Sequence, residues 1–108
     1  MASVPIPPLV STAREAIAAF CRRWGVTTFA LFGSALRPDF REDSDIDVLL
    51  TFCEGARYTL FDLVRMGDEL EAIFGRTVDV LDRKAVEQSA NYLRRNTILR
   101  SAAVVYAE

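Results

Sequence analysis

Histidine does not occur in this sequence. Its absence removes the imidazole base of serine and cysteine triads and every metal site with a histidine ligand. Cysteine is scarce: Cys21 and Cys53 have no metal-ligand or redox spacing and read as buried core thiols. An excess of basic residues is missing too, since 13 Lys and Arg against 15 Asp and Glu leave a net charge of −2. Proteins that live on nucleic acid draw affinity from cations that neutralise phosphates. No direct DNA binding is therefore expected, and Arg94, Arg95 and Arg100 read as a solvated face. No apolar run approaches membrane-spanning length, and Met1 to Val10 lacks the basic start and long apolar stretch of a signal peptide. The expectation is a cytoplasmic protein without a membrane partner. Any catalysis must rest on carboxylates, hydroxyls, arginine and a hard cation.

The 108 residues suffice for one domain, taken as 1–108, with about half of them apolar. So short a chain leaves little room for insertions. Its site is expected to be shallow, with a second molecule supplying much of any acceptor pocket.

Three prolines hold Val4-Pro5-Ile6-Pro7-Pro8 extended. Thr12 with Glu15 reads as a capping box, and Ala13, Ile17, Phe20, Cys21 and Trp24 recur at helical spacing up to a stop at Gly25. Val26 to Phe32 is β-branched and aromatic and predicts a buried strand. Pro38 and the polar residues after it predict a loop, and Asp45 to Phe52 a second strand. Helical spacing returns at Leu60, Leu63, Val64, Leu70, Ile73 and Phe74, opened by Thr59 with Asp62 and closed by Gly75. Thr77 to Leu81 predicts a third strand and roughly Val86 to Leu99 a short helix. Ala102 to Tyr106 reads as helix extension or, from Val104-Val105-Tyr106, as a last strand. This order predicts an α+β (α/β sandwich) fold: a small mixed sheet with helices packed on one face and the polar motif at the strand ends.

Asp45 and Asp47 are the most informative pair. Side chains two apart on a strand share a face, and two carboxylates so close repel unless something offsets their charge. A divalent cation does so, and oxygen-only ligands favour Mg²⁺ or Mn²⁺. An isolated Asp-Ile-Asp is more often a solvated strand entrance. Here the following Val-Leu-Leu sets the pair where a buried sheet meets a cleft. Asp79, alone between Val78 and Val80, is either an edge-strand residue facing water or the third carboxylate of the same face. Three such groups suit two Mg²⁺ ions about 3.5–4 Å apart, with Asp79 able to accept the proton of an attacking hydroxyl. Gly33-Ser34 after the first strand supplies either a plain turn or a phosphate cradle, and Arg37 could add a charge-assisted contact.

In combination, Gly33-Ser34, a ten-residue gap, Asp45-Ile46-Asp47 and then Asp79 in a later strand resemble the DNA polymerase beta nucleotidyltransferase superfamily. The Gly-Ser-Ala-Leu-Arg start, the Ser44-Asp45-Ile46-Asp47-Val48 core and the short length are most similar to its minimal nucleotidyltransferases, antitoxins paired with a HEPN-type toxin. The resemblance covers roughly residues 12 to 106. It implies a polymerase-beta-like fold, catalytic and metal-binding roles for Asp45, Asp47 and Asp79, and nucleotide contacts from Gly33, Ser34 and Arg37. It further implies ATP and the toxin as partners, with AMP transferred to a toxin tyrosine. Pro38 departs from the glycine often found there.

Two other readings stand beside it. The chain could be a non-catalytic antitoxin that occludes its partner through apolar residues such as Phe40, Tyr58, Phe61 and Tyr106. It could also adenylylate a small-molecule acceptor, although such enzymes generally carry a further acceptor domain. The acidic balance argues against template-directed polymerisation.

Overall fold

The structure is a computed structural model and describes Val10, residues 12–33 and residues 45–107. The elements that position the site are α1 (Arg14–Trp24), β1 (Val26–Phe32), β2 (Ile46–Phe52), α2 (Leu60–Phe74), β3 (Val78–Asp82), α3 (Arg83–Glu87), α4 (Tyr92–Ser101) and β4 (Ala103–Ala107). The strands form one mixed sheet in the order β3-β2-β1-β4. β1 is antiparallel to β2 and to β4, whereas β2 and β3 are parallel. Parallel neighbours need a long crossover, and the 15-residue α2 provides it. The C-terminal segment is a strand, and the expected α+β architecture is the observed one.

Alternation along the strands divides the apolar residues between two faces. Phe29 and Leu31 of β1, Ile46, Val48 and Leu50 of β2 and Val78 of β3 point one way. They pack with Ile17, Phe20 and Cys21 of α1 and Met66 and Leu70 of α2 to make the main core. Each fully buried side chain of this size contributes about 1.5–3 kcal/mol. A polar clasp joins the two helices: Glu69 pairs with Arg23 and accepts a hydrogen bond from Trp24 Nε1 at 2.7 Å. The long helices thus share one face, as expected. The opposite face carries Ala30, Phe32 and Leu49, covered by Val86 of α3 and Ile98 of α4. The expected packing of helices on one face thus holds for the long pair, while short α3 and α4 cover the other face.

Glycines end both long helices as the sequence predicts, with Gly25 at φ 71° and Gly75 at φ 70°. The Thr59 cap of α2 is also present: its hydroxyl accepts from Asp62 N at 3.2 Å while Asp62 Oδ2 accepts from Thr59 N at 2.9 Å. The expected Thr12–Glu15 box is not the cap of α1. Ala13 stands there without a side-chain cap, because the chain already turns before it, with Ala13 N donating to Val10 O at 3.1 Å.

The Val86–Leu99 helix is two. Asp82 caps α3 through Lys84 N at 3.0 Å, and Asn91 caps α4 through Arg94 N at 3.1 Å. Ser89 Oγ also accepts from Asn91 N at 3.2 Å. Short polar side chains here bind the backbone in place of a continuous helical ladder. In α2, Leu60 and Val64 are exposed and the inward stripe runs through Met66 and Leu70. Cys53 is likewise exposed, unlike buried Cys21, because β2 ends at Phe52 and leaves Cys53 in the turn. Among the described residues no helix is long and apolar enough to cross a membrane.

Candidate active site

β1 and β2 bring the motif residues to one end of the sheet. Phe32, the last residue of β1, lies opposite Asp47, so Gly33 follows directly beside that carboxylate. Gly33 has φ 67°, and a Cβ at this position would lie 2.5 Å from Asp47 Oδ2. A side chain therefore cannot occupy the site without displacing the carboxylate. Glycine is required here twice, for its left-handed backbone and for the close approach.

The parallel pairing of β2 with β3 places Asp47 opposite Asp79. Adjacent strands lie about 4.8 Å apart and paired residues share a face, so these two carboxylates are neighbours. Asp45 is exposed one residue before β2, Asp47 is half-buried and Asp79 is exposed on the edge strand. Strand alternation fixes Asp47 and Asp79 on one face, and Asp45 enters from the segment just before β2. Among the described residues no three acidic or thiol side chains are already gathered closely enough to hold an ion. Register brings Asp47 and Asp79 together, and side-chain rotation governs the remaining approach. The donors are all carboxylate oxygens, and the missing Cβ of Gly33 leaves Asp47 accessible. Such a set fits a hard divalent cation. Ser34 and Arg37, the other residues expected at the nucleotide, and Phe40 lie outside the described residues.

Along the same face, Leu49 follows Asp47 and Leu81 follows Asp79, both joining the small apolar layer beneath α3 and α4. Helical periodicity alone gave no hint of this floor, because the mean pattern of α4 has no strong apolar side. At the far end of β3, Asp82 accepts hydrogen bonds from Tyr58 Oη and Lys84 N. Burial, then this hydrogen bond and the Asp82 charge, push the Tyr58 phenol from 10.0 up to about 12. Its oxygen stays protonated near neutrality and serves the fold. Tyr58 stacks on Phe52 at 4.1 Å and is half-buried, as is Tyr106, so both pack inward; Phe61 is 82% exposed.

Residues 13–104 match the nucleotidyltransferase domain family. A candidate protein adenylyltransferase of Methanocaldococcus jannaschii is 41% identical over 81 residues, covering 75% of this chain and 81% of the relative. A solved minimal nucleotidyltransferase superposes with a TM-score of 0.68 at 36% identity, over 94% of this chain and 97% of the other. The MNT antitoxin complexed with tri-AMPylated HEPN toxin from Shewanella oneidensis gives a TM-score of 0.62 at 14% identity, over 92% and 73% of the two chains, a likeness of fold. These matches show that the chain belongs to the nucleotidyltransferase domain family, as an adenylyltransferase enzyme of minimal nucleotidyltransferase fold.

Proposed function

We propose that this protein is a Mg²⁺-dependent adenylyltransferase that moves AMP from ATP to a hydroxyl, a tyrosine by preference, of a HEPN-type partner toxin and thereby acts as its antitoxin. The observation that carries this reading is the pairing of Asp47 with Asp79 at the sheet end where Gly33 adjoins Asp47. The relatives support the nucleotide and the partner, since one is a candidate protein adenylyltransferase and another an antitoxin bound to an AMPylated toxin.

Asp45, Asp47 and Asp79 would hold the divalent ions, which supply charge neutralisation at the triphosphate. Gly33 keeps the approach to Asp47 open, and Ser34 and Arg37 are proposed for the phosphates. Asp79 is exposed, so an incoming hydroxyl can reach it and pass its proton to the carboxylate. The freed oxygen then bonds to the α-phosphorus as the bond to the bridging oxygen breaks, and pyrophosphate leaves. Catalysis is chiefly positioning and charge stabilisation, as in other phosphoryl chemistry.

The test is incubation of the protein and its HEPN-type partner with labelled ATP and Mg²⁺. Covalent label on the partner is expected, lost in Asp45→Asn and in Asp47→Asn with the fold retained. Stoichiometric inhibition without label would instead establish occlusion, for which the exposed Leu60, Phe61 and Val64 of α2 offer a surface. Transfer retained by both variants would remove the proposed site.

A further inference from the structure

The chemistry at Asp47 and Asp79 leaves the rest of that sheet face unused. A cleft of about 190 Å³ opens there, between β3, α3 and α4. Leu81, Val86 and Ile98 line it with apolar surface, and Asp82, Arg94 and Arg95 add polar groups. Whole small-molecule ligands occupy pockets of roughly 300–1,000 Å³. This one has room for part of a ligand, such as a single ring system.

We propose that the cleft is the subsite for the purine base of the nucleotide, with Arg94 the residue that stacks on the base and sets its affinity. The inference rests on the reading of Asp45, Asp47 and Asp79 as the nucleotide centre. Its first support is reach. Leu81 lies two residues beyond Asp79 on the same face, about 6.6 Å along the strand at 3.3 Å per residue. A base is joined to its α-phosphate through one ribose, so a phosphate held at the carboxylates leaves Leu81 and the cleft within reach of the base.

The second support is chemistry. A base needs apolar contact on its faces and hydrogen-bond partners at its edge. Arg95 is already engaged, its guanidinium 4.4 Å over the Tyr92 ring and its Nη1 donating to Glu87 O at 3.4 Å. The guanidinium of Arg94, among the described residues, has no such engagement and its side chain is exposed at the cleft. A guanidinium plane stacks on aromatic faces. Asp82 accepts from Lys84 N and Tyr58 Oη. An ionised carboxylate offers about four acceptor sites, so Asp82 retains capacity for an N–H at the base edge.

Two variants test this: Arg94→Ala removes the stacking group, and Ala85→Trp fills the cleft from an exposed lining position. Calorimetric binding of ATP and of inorganic tripolyphosphate, each with Mg²⁺, is measured on the full chain. Thermal melting of each variant confirms that it is folded. Both variants are expected to weaken ATP about tenfold, the size of one lost stacking contact, and to leave tripolyphosphate unchanged. ATP binding unaltered in Arg94→Ala overturns the proposal, as does equal loss for both ligands. ATP binding retained with transfer lost would assign the cleft to the acceptor and also overturn it. If the wild type binds neither ligand, the reading of the carboxylates falls with it; if it binds both and the variants change nothing, only the base subsite falls.

Discussion

At the scale of single residues, Gly33 is the position where the backbone and the chemistry meet. Its φ of 67° already disfavours any side chain, and an added Cβ would press on Asp47 Oδ2 at 2.5 Å. A left-handed non-glycine residue costs of order 1–3 kcal/mol. Gly33→Ala is therefore expected to lower stability by about that amount and to abolish AMP transfer, because Asp47 must rotate away. Denaturant unfolding together with the labelled-ATP assay checks both parts; full activity would show that Asp47 is not used where it stands. A second residue-scale effect lies at Tyr58. Its phenol is raised from 10.0 to about 12, so the folded state holds this proton more tightly than the unfolded chain. That contribution is complete below pH 10, and it is lost as the pH climbs toward about 12. Tyr58→Phe should flatten the fall of stability across this alkaline window, read from urea midpoints at successive pH values. An identical slope in the variant would assign the fall to other groups.

Single elements show which features the sequence made visible. The α2 cap was legible because Thr59 and Asp62 bond within four residues of chain, and both hydrogen bonds form. Thr59→Ala is accordingly expected to cost about 1 kcal/mol, measured as a shift in denaturant midpoint with an unchanged slope; a neutral result would mean that tertiary packing holds this helix end. Gly25 and Gly75 were legible for the same local reason. Features that depend on distant chain were not. Cys53 looked like a core residue, yet its surroundings depend on where β2 ends. Val64 fits a helical period, but the sheet lies under Met66 and Leu70 instead. The break between α3 and α4 arises from Ser89 and Asn91 binding backbone groups, a choice that local periodicity does not weigh. Asp79 was readable as a candidate from its charge between two valines. Its place beside Asp47 needed the parallel register that α2 makes possible.

For the molecule as a whole, the unequal covering of the two sheet faces has a dynamic consequence. Among the described residues, thirteen buried apolar residues form the cluster beneath α1 and α2, against five beneath α3 and α4. The carboxylates face the lightly covered side, and α4 is held there through Ile98 as its buried residue. Regions with few buried contacts open at lower free energy than the core, and backbone hydrogen exchange measures that opening. Amides of α4 should thus exchange well before those of α1, β1 and β2. A ligand shifts such an opening only by its differential affinity for the closed form. If ATP with Mg²⁺ binds as proposed, at Asp47 and Asp79 with its base beneath α4, it should slow exchange in α4 while leaving α1 and α2 nearly unchanged. Inorganic tripolyphosphate, which lacks the base, should protect the strand ends and leave α4 open. Equal protection of α4 by the two ligands would mean that the triphosphate alone tightens this face. Uniform exchange across the free protein would show that both layers open together, despite their different cores.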